Sequence, residues 1–225
     1  MNFTSPRLSV VMVTLNEEAA IGKVVGELKR LVPEAEIVVV DSSSDRTGEV
    51  AEQLGCRVVR QIPPAGYGPA MHEGLTTASG EIIVTLDCDD TYPIESIPQL
   101  VSKIDEGFDL VNASRLKGKP AAMSLPNYLA NWTFAWIACW LCGVKTTDVH
   151  SGMRAYRRSM LEKLSYDPAG MALPVELLVA ANRLGYRCAE VFIDYRRRIG
   201  ATTLQPIEGT VWTIKRLWKW RRFLK

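Results

Sequence analysis

Asp87 and Asp89 stand two residues apart, directly beyond the apolar run Ile82-Ile-Val-Thr-Leu86. Two carboxylates in that place can hold Mg2+ or Mn2+, hard ions that take oxygen ligands and let substrate phosphates complete the shell. The ordinary alternative is a polar turn or a helix cap, and the pair by itself is weak evidence. Its position after a buried strand gives it weight. Asp41 closes a second run, Ile37-Val-Val-Val40, and Asn16-Glu17 follow a third, Leu8 to Leu15. An acid at such a strand end accepts hydrogen bonds from a ribose or a base, or else caps the segment that begins at Arg46. Open α/β sheets bind ligands at the carboxyl ends of their strands, and acids buried there without partners are costly. These three strand ends are therefore expected to line one crevice. Gly66-Tyr67-Gly68 lacks the third glycine of a dinucleotide fingerprint and the chain has no Walker A loop, which argues against dehydrogenase and P-loop chemistry.

The elements that carry these residues follow from periodicity and breakers. Short β-branched runs predict strands at Leu8 to Leu15, Glu36 to Asp41, Arg57 to Arg60, Glu81 to Leu86 and Asp109 to Ala113. Between them, helices are predicted from Asn16 toward Leu31, from Arg46 to Leu54, from Gly68 through Ala78, and from Pro93 to Ile104. That alternation implies a parallel α/β sheet. After Lys119 it stops. An apolar aromatic helix is followed by a loop at Thr146 to Gly152, a helix near Leu173 to Leu184, a strand at Cys188 to Asp194 and a last helix near Ile207 to Phe223.

The 225 residues suit one domain, 1–225, with a first half to 119 and a second half from 120. The net charge of +2 conceals an asymmetry: nine Lys and Arg against the single acid Glu208 between Arg196 and Lys225 leave the remainder near −6. A basic tail suggests an anionic partner, and no nucleic-acid recognition motif accompanies it. The five cysteines are odd in number and no signal peptide is evident, so a reducing, cytoplasmic compartment is expected. Cys139-x-x-Cys142 lacks a second ligand pair and reads as packing cysteines.

The residues singled out, taken in order, resemble glycosyltransferase family 2, and within it the dolichyl-phosphate mannosyltransferase-like group of polyprenyl-phosphate glycosyltransferases. The resemblance runs from Val10 to about Leu204 through Val13-Thr-Leu-Asn-Glu17, Val39-Val-Asp-Ser-Ser-Ser-Asp45, Gly66-Tyr-Gly-Pro-Ala70 to Gly74, Asp87-Cys-Asp89, Ala113-Ser-Arg115 and Asp148-Val-His-Ser-Gly-Met-Arg154. It implies a GT-A fold, Rossmann-like, with a nucleotide-sugar-binding first half and an acceptor- and membrane-facing second half. It places Thr14, Asn16, Glu17, Asp41, Ser43, Gly68, Asp87, Cys88 and Asp89 around a nucleotide sugar, with Mg2+ or Mn2+ on Asp87 and Asp89. It brings Arg115, Ser151 and Arg154 to an acceptor phosphate and Arg198 to a late loop that closes over the donor. Thr91, Asn127-Tyr128 and His72 depart from the group's usual residues.

The expected reaction is inverting transfer of a hexose from a GDP-mannose- or UDP-glucose-like donor to a polyprenyl or dolichyl phosphate. Breaking a sugar–diphosphate bond develops charge on the leaving group, which a metal on Asp87 and Asp89 neutralises, helped by a cation such as Arg198. A phosphate acceptor is already anionic and needs positioning, for which arginine is suited. Only a hydroxyl acceptor needs a base. Asp148 either orients the site or serves as that base; His150 reads as incidental, and His72 as a helix-surface residue near donor phosphate. The alternatives are transfer to a hydroxyl of a glycolipid or polysaccharide, and a catalytically silent nucleotide-binding protein at a membrane.

Ala121 to Val144 carries no charge and is long enough for a bilayer, but Pro126, Asn127 and Asn131 interrupt it. Arg115 and Arg154 flank it, so a crossing would split a single site between the two sides of the membrane, whereas a helix lying in the interface keeps it whole. Trp132, Trp136 and Trp140 share one helical face. A peripheral place at the cytoplasmic face of a membrane is therefore expected, with the basic last helix on anionic headgroups. No oligomeric state follows from the sequence.

Overall fold

The computed structural model describes residues 6–202 and 206–221. Five strands appear where the apolar runs predict them: β1 (Leu8–Thr14), β2 (Glu36–Asp41), β3 (Arg57–Arg60), β4 (Ile82–Thr85) and β5 (Leu110–Ser114). They alternate with α1 (Glu18–Leu31), α2 (Thr47–Gln53), α3 (Tyr67–Thr77) and, after a 3-10 turn at Ile94–Ser96, α4 (Ile97–Asp105). The second half adds α5 (Leu125–Cys142), β6 (Arg154–Arg157), the short α6 (Arg158–Leu161), α7 (Leu173–Arg183), β7 (Cys188–Phe192) and α8 (Pro206–Lys219). The end of the last predicted helix, at Phe223, lies outside the described residues, as does Leu204.

One seven-stranded sheet runs β3-β2-β1-β4-β6-β5-β7. The sequence predicts a parallel sheet; the structure is mixed. β6 lies antiparallel between β4 and β5, pairing Thr85 with Arg154 and Asn112 with Arg154. Its sequence, Arg154-Ala-Tyr-Arg157, has no apolar run to betray a strand. Arg154 is nonetheless fully buried. Its guanidinium donates to Asn112 Oδ1 at 2.8 Å, to Val149 O at 2.8 Å and to Pro174 O. A buried charge is tolerable when every donor finds an acceptor, and here it fastens an internal strand.

Both faces of the sheet are covered, as alternation along β1 shows. Val10 and Met12 join a cluster with Ile21, Val25 and Leu28 of α1 and Ile97 and Leu100 of α4. Val11 points the other way, into a cluster with Met71 of α3, Ala138 and Cys142 of α5, α7 and Leu217 of α8. Cys142 is thus a packing cysteine, whereas Cys139 is exposed.

α3 lies close to the sheet because Gly74 has no side chain: a Cβ there would stand 2.5 Å from Val11 Cγ1 and 3.2 Å from Val40 Cγ2. Gly74→Val is expected to lower unfolding stability by about 1–3 kcal/mol through overpacking, read as a lower urea midpoint at unchanged slope.

Candidate active site

The ends of β1 and β2 are stitched together by their own polar residues. Thr14 and Asp41 stand in register, and Thr14 Oγ1 donates to Asp41 Oδ1 at 2.7 Å. Ser43 N donates to the same oxygen at 3.3 Å, and Arg60 donates to Asp41 Oδ2 at 2.7 Å. Gly48 makes room for that pair, since a Cβ would fall 2.4 Å from Asp41 Oδ2. Both oxygens of Asp41 therefore have partners within the protein, and it is Asp45, not Asp41, that accepts from the Thr47 amide at the start of α2. Asn16 takes the left-handed conformation with φ 60°, which asparagine tolerates. Its amide donates to Ser43 Oγ at 2.7 Å while its Oδ1 accepts from Ser44 N at 2.9 Å. The next amide, of Glu17, donates to Thr47 Oγ1 at 2.9 Å.

Glu17, Asp87 and Asp89 form an acidic cluster around one guanidinium. Arg198 bridges it, donating from Nη1 to Asp89 Oδ2 and from Nη2 to Glu17 Oε1. Its loop is held by backbone bonds, Arg196 N to Thr91 O and Ile199 N to Asp89 O, each 2.9 Å. Asp89 Oδ1 also accepts from Thr91 N at 3.0 Å and from the Thr91 hydroxyl. Asp87 has no hydrogen-bond or ion-pair partner among the described residues. Its carboxylate lies against Gly152, where a Cβ would come within 2.8 Å of Oδ2. Burial, then the neighbouring Asp89 charge, push the Asp87 carboxyl up to about 7. Burial raises Glu17 to about 7 as well, against the pull of Arg198, and Glu17 Oε2 is buried without a hydrogen bond. Asp90 turns aside: it has φ 65° and accepts from Lys23 Nζ.

Arg198 thus pairs with two of the three carboxylates and leaves Asp87 without a direct partner, a deficit that a divalent cation matches. The donor set is hard oxygen, and Asp87 is a carboxylate in want of a partner. These residues fit Mg2+ or Mn2+ held by two acids and completed by substrate phosphates.

The second half reaches the cluster through the loop before β6. Asp148, fully buried, takes Arg115 in a bidentate pair: Nε donates to Oδ2 at 2.6 Å and Nη2 to Oδ1 at 2.9 Å. Burial alone would raise the Asp148 carboxyl, but Arg115 holds it below the usual range. Both carboxylate oxygens of Asp148 are therefore engaged by Arg115. Arg115 keeps Nη1 outside this pair, and its guanidinium lies 5.3 Å from the Tyr195 ring centroid. The resemblance brings Arg154 and Ser151 to an acceptor phosphate. Both are fully buried. Arg154 donates to Asn112, Val149 and Pro174, and Ser151 Oγ accepts from Met153 N at 3.3 Å. Both hold the loop before β6 together.

Both histidines have hydrogen-bond partners within the protein. His150 Nδ1 lies 3.0 Å from Asn131 Oδ1 of α5, and Nε2 lies 2.9 Å from Thr213 Oγ1 of α8. Burial lowers its pKa to about 4, so the ring is neutral near pH 7; the amide oxygen fixes the proton on Nδ1, and Thr213 donates to Nε2. His72 Nδ1 pairs with Tyr166 Oη at 2.9 Å.

Cys88 turns away from Asp87 and Asp89 into the core, where burial pushes its thiol pKa well up. Gly68 opens α3 under the 166–171 loop; a Cβ would stand 2.1 Å from Pro168 O and 2.2 Å from Gly170 O. Sequence reasoning missed Tyr92, whose hydroxyl accepts from Gly152 N at 2.7 Å. It also missed Glu190, which accepts from Thr147 N at 3.0 Å. Neither stands in a motif; both are found only by asking what holds the loop.

Known proteins resemble this chain in sequence and in fold. A family model described as glycosyl transferase family 2 matches residues 9–165. A dolichyl-phosphate hexose transferase of Haloferax volcanii is 41% identical over 92% of this chain and 90% of its own length. A polyprenol monophosphomannose synthase of Mycolicibacterium smegmatis is 28% identical over 85% of this chain and 78% of its own. Among solved structures, glucosyl-3-phosphoglycerate synthase of Mycobacterium tuberculosis, in complex with Mn2+, UDP and phosphoglyceric acid, superposes with a TM-score of 0.77. It is 26% identical, over 95% of this chain and 78% of that one.

Two outcomes follow from these charges. Asp148→Asn leaves the Arg115 cation buried and half-paired, and is expected to cost about 3–5 kcal/mol in urea unfolding. The wild-type pair is at full strength above the unfolded carboxylate pKa of about 4 and is lost only as pH falls through the lower folded value. Asp87 and Glu17 act in the opposite sense. Their folded values lie above the unfolded ones, so they oppose folding increasingly as pH climbs from about 4 toward 7. The melting temperature of the metal-free protein should fall between pH 6 and 8 on the order of a few degrees, and Asp87→Asn should flatten that slope.

Proposed function

The chain belongs to glycosyltransferase family 2, and from that premise we propose that it transfers a hexose, with inversion, from a nucleoside-diphosphate sugar of the GDP-mannose or UDP-glucose kind to a polyprenyl or dolichyl phosphate at a membrane surface. The observation that carries the acceptor is the Arg115–Asp148 pair. The acid that the sequence offers as a base is fully engaged, which suits an acceptor that brings its own anionic nucleophile. The 41% identity to a dolichyl-phosphate hexose transferase supports the same choice.

In this reading Asp87 and Asp89 hold Mg2+ or Mn2+, which supplies Lewis-acid neutralisation of the leaving diphosphate when bound. Asn16, Glu17 and Ser43 line the nucleoside end of the crevice. Thr14 and Asp41 brace it from behind, and Gly68 lets the 166–171 loop close on α3. Arg198 gives up Asp89 and turns to the donor diphosphate, where a cation fixed in a water-poor site stabilises charge at little reorganisation cost. Arg115 presents Nη1 to the acceptor phosphate, its plane set by Asp148 and Tyr195. Ser151 and Arg154 act only through the loop they hold.

A hydroxyl acceptor is the second reading, and one observation favours it. Glu17 is raised to about 7 with Oε2 unpartnered, a group able to take a proton near neutrality. The two readings separate in one assay: labelled GDP- and UDP-hexoses are offered to a short-chain polyprenyl phosphate and to its free alcohol, with Mn2+ or EDTA. Label on the phosphate alone, lost in Asp89→Ala and with EDTA, is the expected result. Label on the alcohol overturns the phosphate assignment.

Arg198→Gln carries a signed prediction. Turnover should fall about 10²- to 10³-fold. Mn2+ binding without nucleotide, followed by electron paramagnetic resonance, should tighten several-fold because Asp89 is no longer paired, whereas Mn2+ binding with the nucleoside diphosphate present should weaken.

A further inference from the structure

Two neighbouring helices of the second half each bury one face and turn an apolar stripe outward. On α5 the buried face is Ala135, Ala138 and Cys142. The outward stripe is Leu125, Leu129, Trp132, Trp136 and Trp140, each more than half exposed. On α8, Thr213, Arg216 and Leu217 point inward, and Ile207, Val211, Ile214 and Trp218 point outward. The spacing is that of a single helical face in both cases. Of the thirteen large hydrophobic side chains exposed among the described residues, these two stripes hold nine; exposed apolar groups scattered singly need no explanation, but a concentration of this kind marks a contact surface. The helices touch through Cys142 Sγ, which donates to Leu217 O at 3.3 Å, and through His150, which joins Asn131 to Thr213.

We propose that the α5 and α8 stripes together form one lipid-inserting surface that seats the protein on an anionic bilayer, with the Asp148–Arg154 loop held at headgroup depth by His150. The proposal deepens the reading of the acceptor as a membrane lipid phosphate, and rests on it for its purpose. Chemistry favours lipid over a second copy or a partner protein. Three of the five α5 residues and one of the four on α8 are tryptophan, the side chain of the membrane–water interface. The cations beside them are arranged as snorkelling residues. The Arg221 guanidinium lies 4.1 Å from the ring centroid of the outward Trp218, and Lys215 Nζ lies 4.6 Å from that of Trp212, which packs inward against the core. Protein interfaces deplete lysine at their centres, whereas anionic headgroups attract it. No described helix is long and apolar enough to cross a membrane, and α5 carries no charge on its outward face. α8, with one strongly apolar face and basic residues in its last turn, is the kind of helix that lies in the interface, and α5 adds its apolar stripe beside it.

The test uses the full chain with phosphatidylcholine vesicles, with and without phosphatidylglycerol, read by flotation and by quenching of tryptophan fluorescence with brominated acyl chains. Wild type should float with the anionic vesicles, less so at high salt, and be quenched. Trp132→Glu/Trp136→Glu on α5 and Val211→Glu/Ile214→Glu on α8 should each weaken flotation at least about tenfold. Leu184→Glu, at an exposed apolar residue away from both stripes, should not. All three variants should keep transfer to a water-soluble short-chain polyprenyl phosphate, which shows that they are folded, while the two stripe variants lose transfer to long-chain acceptor in vesicles. Failure of wild type to float overturns the proposal. So does normal flotation of the α8 pair, and so does a lipid-independent dimer that the α5 pair converts to monomer. Flotation and quenching of wild type with no transfer to either acceptor would support the surface and sink the acceptor reading alone.

Discussion

The buried pair between Arg115 and Asp148 is the constraint on which the second half depends. Two charges taken out of water are stable only when each satisfies the other closely, and the bidentate geometry here leaves Asp148 no freedom. Arg115 follows β5 and Asp148 opens the loop before β6, so the pair fixes where that loop can run. Its consequences spread residue by residue. Val149 O accepts from Arg154, His150 reaches α5 and α8, and Gly152 places its amide on Tyr92 and its bare Cα beside Asp87. A five-residue stretch thereby touches the acid cluster, the sheet and the outward helices.

The first half is readable because its signals are local. Ile37-Val-Val-Val40 is apolar on every residue, as a strand buried on both faces must be, and the acids that follow such runs fall at the mouth of the sheet. What the sequence conceals depends on contacts between distant residues. β6 carries arginine at its start, and only Asn112, Val149 and Pro174, from three other elements, turn that charge into a strand anchor. A motif marks a residue as important without saying whether it touches a ligand or holds the residues that do. His150 escapes notice for the opposite reason, since a lone loop histidine has no local signature, and its partners lie 19 and 63 residues away.

The acid cluster holds more negative charge than its direct cation partner offsets. Arg198 neutralises some of the charge on Glu17 and Asp89, and burial raises Glu17 and Asp87 so that their charge is incomplete near neutrality. On the proposed reading, a cation on Asp87 and Asp89 would favour their ionised form, and a diphosphate would offer the guanidinium a matched partner. Backbone bonds from Arg196 and Ile199 to Thr91 and Asp89 hold the loop from which Arg198 projects.

The site and the outward stripes belong to one mechanical unit, and His150 shows why. A neutral imidazole with one donor and one acceptor nitrogen can join two helices without adding charge to the apolar side of the loop. A protonated ring could not accept from Thr213, and an alanine would take this partner from the buried Thr213 hydroxyl and from Oδ1 of the half-buried Asn131. The residues on either side face opposite tasks. Asp148 belongs to the charged crevice, and the helices that His150 holds expose tryptophan and leucine where a water-facing helix would carry lysine and glutamate. The join between crevice and stripes is two residues long, so any surface that orders α5 and α8 also sets the height of Arg115 above it. On the proposed reading, with the acceptor's phosphate at a membrane surface and its chain within the lipid, that short join would bring the phosphate to the crevice and leave the chain in lipid.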